Sequence, residues 1–231
     1  MSEDANLPRH IGFIVDGNRR WAKQHGLPTY EGHLAGYNAL KDVALEVLHR
    51  GVKYASAYVF STENWKRSEE EVGHLMKLLL NMLKADLPIF IENEVRLRVV
   101  GSREGLSDQL IKAIDEAEEK TADLKNGELV LCLNYGGHLE ITDAVKKIVQ
   151  SGISTEEITP ELIAQNIYAP EVPPCDLIVR TSSEQRLSNF MLWRSAYSEL
   201  MFIEKNWPDM TTDDVSVILE EYANRNRRFG K

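Results

Sequence analysis

The sequence predicts an α/β protein built on a central, largely parallel sheet of six strands with helices on both faces. Three observations carry that expectation. Short apolar or β-branched runs alternate with stretches of helical period along the whole 231 residues, the pattern of repeated strand–helix–strand units. The composition of those runs is that of strands covered on both faces. Five of the runs end in a polar cluster, and in a parallel sheet the carboxyl ends of the strands share one ligand-binding edge.

The first strand is "IGFIV", 11–15, which stops at Asp16 ahead of "GNRRW". In "HLAGYNALKDVALEVLHRG" the apolar residues Leu34, Leu40, Val43, Val47 and Leu48 recur at helical spacing, and Gly51 supplies the stop. "YASAYVF", 54–60, is the second strand and runs into "STENWKR". The next helix, "SEEEVGHLMKLLLNMLKADL", opens with Ser68 and Glu71 spaced as a capping box, and its apolar period continues to Phe90. "VRLRVV" (95–100) and "LVLCL" (129–133) are strands separated by the helical "SDQLIKAIDEAEEKTADL". "LEITDAVKKIVQS" and "TPELIAQNIY" are helical, "DLIV" (176–179) and "LMFI" (200–203) are strands, and "TDDVSVILEEYANRNRRF" is the last helix. No repeat, low-complexity tract or linker interrupts this order, so residues 1–231 read as one domain.

Composition narrows the function. A formal net charge of −9 argues against a nucleic-acid binder, which needs basic surface for a phosphate backbone. An anionic ligand would have to be met by local arginines instead. Cys132 and Cys175 make no metal-ligand spacing and sit in apolar runs, where a free thiol behaves as a small hydrophobe. "MSEDANLPRH" is polar and acidic rather than a signal peptide, and no apolar run approaches the ~20 residues of a membrane span. The expectation is a soluble, reduced, cytoplasmic protein.

If the polar clusters after Val15, Phe60, Val100, Leu133 and Val179 meet at one rim, they bring together Arg19, Arg20, Arg67, Arg180 and Arg186. Asn18, Asn64, Ser61, Thr62 and Ser188 would join them, with the carboxylates Asp16, Glu63, Glu184 and Glu199. Forked guanidiniums among small hydroxyl and amide groups suit phosphate or diphosphate oxygens. The N–H groups of Gly17 and Asn18 would add to an anion site if they open a helix. A carboxylate makes little sense there as an anion binder, but good sense as a ligand of Mg²⁺ bridging protein and phosphate. Taken singly, each feature has an ordinary reading: arginines as surface ion pairs, Asp16 as a helix cap, His33 as structural, Trp21, Trp65 and Trp193 as core. On pattern alone the Leu/Met-rich stretch from Leu75 to Phe90 reads as core rather than as a ligand tunnel. There is no GxxxxGK[ST], no strand-borne GxGxxG, no GxSxG and no DDxxD. A phosphatase with a strand-end aspartate nucleophile stays open, although Asn18 stands where such enzymes usually carry a second Asp.

At these residues the chain resembles a known family. "HIGFIVDGNRRWAKQHG", "GHLAGY", "YVFSTENWKRSEEEV", "LCLNYGG", "DLIVRTSSEQRLSNFMLWRSAYSELMF", "WPD" and "NRRFG" are similar, in order and over nearly the whole length, to the cis-prenyltransferases, most closely the undecaprenyl diphosphate synthases. The resemblance implies a homodimeric enzyme with a hydrophobic tunnel beside the sheet. Such an enzyme condenses isopentenyl diphosphate repeatedly onto an allylic diphosphate such as farnesyl diphosphate, with Mg²⁺. It implies that Asp16 is the metal-associated catalytic residue and Glu199 a second Mg²⁺ ligand. Gly17, Asn18, Arg19, Arg20, Trp21 and His33 resemble the allylic diphosphate site, and Ser61, Thr62, Glu63, Trp65 and Arg67 a second substrate-contacting loop. Arg180, Arg186, Leu187 and Ser188 resemble the isopentenyl diphosphate pocket. Asn64 matches the family's proton acceptor, although an amide is a poor base and suits an orienting hydrogen bond better. The tail, Arg228 to Gly230, resembles an Arg-x-Gly segment that reaches across the dimer. Under the same resemblance the Leu75–Phe90 stretch becomes tunnel wall, and membrane contact is transient at most. A catalytically silent partner subunit would share the fold but would be expected to lose Asp16, Asn64, Glu199 and the arginines. Thr29 stands where the family often has a basic residue, which implies one diphosphate contact fewer at the allylic site. Ser182 and Ser183 stand where glycines are frequent, which implies some crowding of the isopentenyl pocket.

Overall fold

The computed structural model describes residues 7–225, so the Arg228–Gly230 tail lies outside the described residues. All six expected strands form, and they make one sheet. They are β1 (His10–Ile14), β2 (Tyr54–Ser61), β3 (Val95–Val100), β4 (Gly127–Tyr135), β5 (Leu177–Arg180) and β6 (Glu199–Phe202), in the order β3-β4-β2-β1-β5-β6. Every strand pair is parallel.

The helices are α1 (Asn18–Gln24), α2 (Thr29–His49), α3 (Glu69–Lys84), α4 (Leu87–Glu92), α5 (Asp108–Thr121), α6 (Gly137–Gln150), α7 (Pro160–Asn166) and α8 (Thr212–Ala223). Ser68 caps α3 by accepting the Glu71 N–H at 3.3 Å, but the reciprocal half of the expected capping box does not form, because the Glu71 carboxylate bonds Arg67 and His33 instead. The apolar run to Phe90 is two helices rather than one. Pro88 lies in the first turn of α4, where its missing N–H costs nothing, whereas inside a continuous helix it would break the bonding.

Paired residues in a parallel register point to the same face. Ile11, Ala55, Leu129 and Leu97 therefore line one side, where α2, α3, α5 and α8 complete the larger core. Val130, Cys132, Ile178 and Phe190 belong to a second core on the other side. Within that second layer the buried Arg194 donates to buried Glu140 at 2.7 Å and also to the carbonyls of Tyr168 and Ala169. Tyr135 Oη donates to the other oxygen of Glu140 at 2.6 Å. This pair ties the start of α6 to the chain that leads into β5 and to the segment after it.

His10 is fully buried at the amino end of β1. Its Nδ1 faces the Pro173 carbonyl at 2.8 Å and must carry the proton, so Nε2 accepts from Ser56 Oγ at 2.7 Å. Burial depresses its pKa from 6.5 to about 4. The unfolded chain therefore takes up a proton that the folded chain refuses, and this stabilisation is full above pH 6.5 and lost as the pH falls towards 4. The expected loss is about 3 kcal/mol. Urea denaturation between pH 7 and 4 should show the slope, and His10→Asn, which retains a donor to Pro173, should flatten it.

Candidate active site

The order of strands reverses between β1 and β5: the chain fills one side of β1 with β2, β3 and β4 before crossing to β5. Ligands of open α/β sheets bind in the crevice at such a switch point. Here the crevice is spanned by Asp16, two residues past β1, and Arg180, the last residue of β5. Arg180 Nη2 donates to Asp16 Oδ2 at 2.8 Å. Its Nη1 donates to the Arg186 carbonyl at 2.5 Å and to Ser188 Oγ at 2.7 Å. Arg180 is almost wholly buried, while the Asp16 side chain keeps 36% of its surface exposed. One guanidinium thus fixes both the acid and the loop after β5.

The turn at Asp16 is built tightly. Gly17 has φ +108° and its N–H bonds Asp16 Oδ1 at 2.8 Å. A Cβ there would stand 2.6 Å from Asn206 Oδ1, so both the conformation and the space require glycine. The backbone of Asp16 is held by Thr181 Oγ1, which donates to its carbonyl at 2.7 Å, and by the N–H of Trp207. Trp207 itself is buried and donates Nε1 to the Gly36 carbonyl of α2.

Two adjoining cavities open at this point. The larger, about 530 Å³, is lined by Asp16, Tyr58, Ser61, Glu63, Asn64, Arg67, Arg180, Ser188 and Asn189. The second, about 340 Å³, is lined by Asp16, Gly17, Asn18, Arg19, Arg20, His33, Tyr58, Asn64 and Arg67. Asp16, Tyr58, Asn64 and Arg67 face both. From the second cavity an apolar cleft of about 50 Å³ leads between α2 and α3, lined by Tyr37, Leu40, Leu75, Leu79 and Met82 among others.

The strand-end loop Thr62–Lys66 is a 3-10 turn closed by a reciprocal cap: Ser61 Oγ takes the Asn64 N–H, and Asn64 Oδ1 takes the Ser61 N–H at 3.1 Å. The carbonyl oxygen of Asn64 is thereby engaged, and its NH₂ group is what remains to offer. Burial works against ionisation of Glu63, but hydrogen bonds from its own backbone, Ser61, Asn189 and Thr62 outweigh it and hold the carboxyl below the usual range. The Glu71 carboxylate, read from the sequence as half of a capping box, has a different role. Its Oε1 accepts from Arg67 at 2.9 Å and His33 Nε2 at 3.0 Å, with Arg19 Nε 4.0 Å away. Burial opposes the charge on Glu71, and those three partners more than offset it. His33 is buried, and burial lowers its pKa despite Glu71. Neutral His33 donates from Nε2 to Glu71, so Nδ1 is a bare acceptor without a partner among the described residues.

Other expected residues stand behind the cavities or beside them. Trp65 Nε1 is tied to Asn134 Oδ1 at the end of β4 (2.8 Å), and Trp21 Nε1 to Asp209 (2.7 Å). Thr62 packs where a Gly136 Cβ would be, and Leu187 packs on the second core. Arg186 is exposed and held by Glu184, which also takes Arg20 Nη2 at 2.7 Å. The clusters after β3 and β4 buttress the rim through Asn134, which donates to the Ser102 and Glu104 carbonyls. Ser182 does not crowd the pocket: it is buried with its hydroxyl under Gly17. Both Ser182 (φ +72°) and Ser183 (φ +61°) adopt the left-handed backbone that favours glycine. Thr29 is the first residue of α2.

Glu199 is not brought to the rim. It pairs with Leu177, which pairs with Ile11, so it lies at the amino edge of the sheet and bonds Arg225 at 3.2 Å. Asp16 is five residues further along, roughly 16 Å at the strand rise, and two strands across. The two carboxylates cannot share an ion within one chain. Among the described residues no group of three or more His, Cys, Asp or Glu converges. A cation at the rim would take Asp16 as its protein ligand and substrate oxygens for the rest, an arrangement that suits Mg²⁺. The donor set fits to that extent. Residues the sequence did not single out include Tyr58, hidden in a strand, and Asn189, which follows Ser188 and joins Glu63 to the start of α6.

Comparison with known proteins agrees with this fold. The family model described as "Putative undecaprenyl diphosphate synthase" matches residues 14–230. An isoprenyl transferase of Thermotoga maritima is 46% identical over 226 residues, 97% of each chain. Lavandulyl diphosphate synthase from Lavandula x intermedia, solved with dimethylallyl diphosphate, superposes with a TM-score of 0.94 at 31% identity, covering 97% of this chain and 99% of that one. A probable undecaprenyl diphosphate synthase from Campylobacter jejuni gives 0.83, also at 31% identity, over 98% and 100%. With the fold and the sequence in accord over nearly the whole length, the chain belongs to the undecaprenyl diphosphate synthase family and is a prenyl-transferring enzyme.

Proposed function

We propose that the enzyme condenses isopentenyl diphosphate onto an allylic diphosphate such as farnesyl diphosphate, with Mg²⁺, to extend a cis-polyprenyl diphosphate. The observation that carries this is the pair of adjoining cavities sharing Asp16, Asn64 and Arg67, each with its own arginines: Arg180 in one, Arg19 and Arg20 in the other. Two diphosphates placed there would have their reacting ends at the shared wall, which makes a bimolecular condensation effectively unimolecular. In the reaction the allylic C–O bond breaks, a C–C bond forms to isopentenyl diphosphate, and one proton leaves that substrate.

The allylic diphosphate belongs in the second cavity, because the apolar cleft between α2 and α3 opens from it and offers a path for the hydrocarbon tail. At about 50 Å³ that cleft is far too small for a polyprenyl chain, so the tunnel reading requires α3 to move outward. Its face there is Leu75, Leu79 and Met82, side chains that repack readily. Isopentenyl diphosphate then takes the larger cavity beside Arg180 and Ser188. Mg²⁺ held by Asp16 and phosphate oxygens would neutralise charge on the departing diphosphate. Arg19 and Arg20 would do the same from the protein side. Asn64, its carbonyl oxygen engaged by Ser61, serves as a donor that orients a diphosphate oxygen. The departing diphosphate is the stronger base and takes the proton.

A homodimer, a cytoplasmic location and transient membrane contact for product release belong to the same reading. No described helix is long and apolar enough to cross a membrane. Radiolabelled isopentenyl diphosphate, farnesyl diphosphate and Mg²⁺, with products resolved by chain length, test the proposal. A ladder of extended products is expected, lost by about 10³-fold in Asp16→Asn, which keeps the shape but removes the charge. No incorporation by the folded wild-type protein would overturn it.

A further inference from the structure

A chain of hydrogen bonds runs beneath the Asp16–Gly17 turn. Arg20 Nη1 donates to Ser182 Oγ at 2.5 Å, Ser182 Oγ to Asn206 Oδ1 at 2.8 Å, and Asn206 Nδ2 to Gln24 Oε1 at 2.8 Å. The directions are forced. A guanidinium only donates, so the Ser182 oxygen receives it and the hydroxyl proton goes on to Asn206 Oδ1. The Asn206 NH₂ is then left for Gln24.

These four residues come from three segments: α1, the loop after β5 and the loop after β6. Ser182 and Asn206 are buried, and both lie within 2.9 Å of where a Gly17 Cβ would be. The chain of bonds therefore abuts the turn that carries Asp16. Arg20 is also held at Nη2 by Glu184 and through the Ser182 carbonyl. Its side chain is nonetheless half exposed, and it lines the second cavity.

We propose that Ser182 and Asn206 are positioning residues that lock the Arg20 guanidinium beside Asp16 before an allylic diphosphate arrives; this rests on the function proposed above. A long side chain ordered in advance leaves less of the ligand's binding free energy to be spent on ordering it. Asn206 matters because it claims the Ser182 proton. Without that acceptor the hydroxyl is free to rotate, and its hydrogen competes with the guanidinium for the space on the oxygen.

The test uses a substitution the backbone welcomes. At φ +72° Ser182→Gly removes the hydroxyl without strain, so folding is not expected to suffer. Calorimetric titration with inorganic pyrophosphate in the presence of Mg²⁺ should show the dissociation constant rising about tenfold, the scale of one hydrogen bond to a charged group. The KM for farnesyl diphosphate should rise by a similar factor, with the loss in KM rather than kcat, and Tm should not fall. Asn206→Leu should reproduce the shift, and in an Arg20→Ala background Ser182→Gly should add nothing further. Wild-type pyrophosphate affinity in Ser182→Gly, alongside weakened binding in Arg20→Ala, would overturn the positioning role while leaving Arg20 as a diphosphate ligand. An undiminished effect of Ser182→Gly in the Arg20→Ala background would also overturn it. Unchanged binding in Arg20→Ala would overturn both this proposal and the placement of the allylic diphosphate.

Discussion

Arg180→Met is expected to lower kcat/KM for condensation by about 10³-fold or more while leaving a folded protein. Arg180 makes three side-chain hydrogen bonds at the switch point: to Asp16 Oδ2, to the Arg186 carbonyl and to Ser188 Oγ. Methionine replaces the apolar stem as far as Nε, lacks the guanidinium and brings no buried charge. Asp16, freed of its partner, is exposed enough to stay hydrated, so the fold is spared the cost of an isolated buried ion. What is lost is the alignment of β1 with the loop after β5, together with a cation for a diphosphate. Arg180→Lys should recover little of the activity, because a single ammonium on a flexible stem cannot reproduce a planar fork with three acceptors around it. Steady-state kinetics with both substrates varied, beside circular dichroism, measures this. Activity within tenfold of wild type in Arg180→Met would show that the clamp is dispensable.

Glu140→Ala should have the largest effect on stability. The Arg194–Glu140 pair is buried on both sides, at 3% and 0% side-chain exposure. Removing the carboxylate leaves Arg194 charged and desolvated and takes the acceptor from Tyr135, for an expected loss of about 3–5 kcal/mol. Set against a typical total of ~5–15 kcal/mol, that is enough to unfold much of the protein at 37 °C. Glu140→Leu combined with Arg194→Met removes both charges and should recover a large part of the loss, because a well-packed apolar pair often replaces a buried ion pair at little cost. Urea denaturation of the single and double variants gives the coupling directly. Equal midpoints for wild type and Glu140→Ala would mean that water reaches Arg194.

Much of the architecture was legible in the residues. The six strands, six of the helices and the gathering of polar clusters after β1, β2 and β5 follow from local period, apolar composition and caps. Misses came where a local signal was ambiguous. The apolar run from Leu75 to Phe90 keeps a helical period through Pro88, so period alone did not divide α3 from α4. "NRRWAKQ" is too polar to show a face, yet it forms α1 because its backbone is docked on α2. A Gly32 Cβ would stand only 2.1 Å from the Asn18 carbonyl oxygen.

The site was legible as a set of residues, less so as an arrangement. Asp16, Asn64, Arg67 and Arg180 do meet, but Glu199, as plausible a carboxylate as Asp16 on paper, sits at the other end of its strand. Composition, apolar period and strand-end polarity are properties of short segments, and these the sequence determined by itself: the fold class, the rim and the residue types collected there. Register and side-chain direction depend on which segments pair and on what each side chain finds beside it, and only the tertiary structure decided them. It placed Glu199 level with Ile11, turned the Asn64 oxygen onto Ser61, and sent the Ser182 hydroxyl under Gly17 instead of into the pocket. A shift of one residue in the pairing of β5 with β1 would move Arg180 to the other face of the sheet, and the site would not exist.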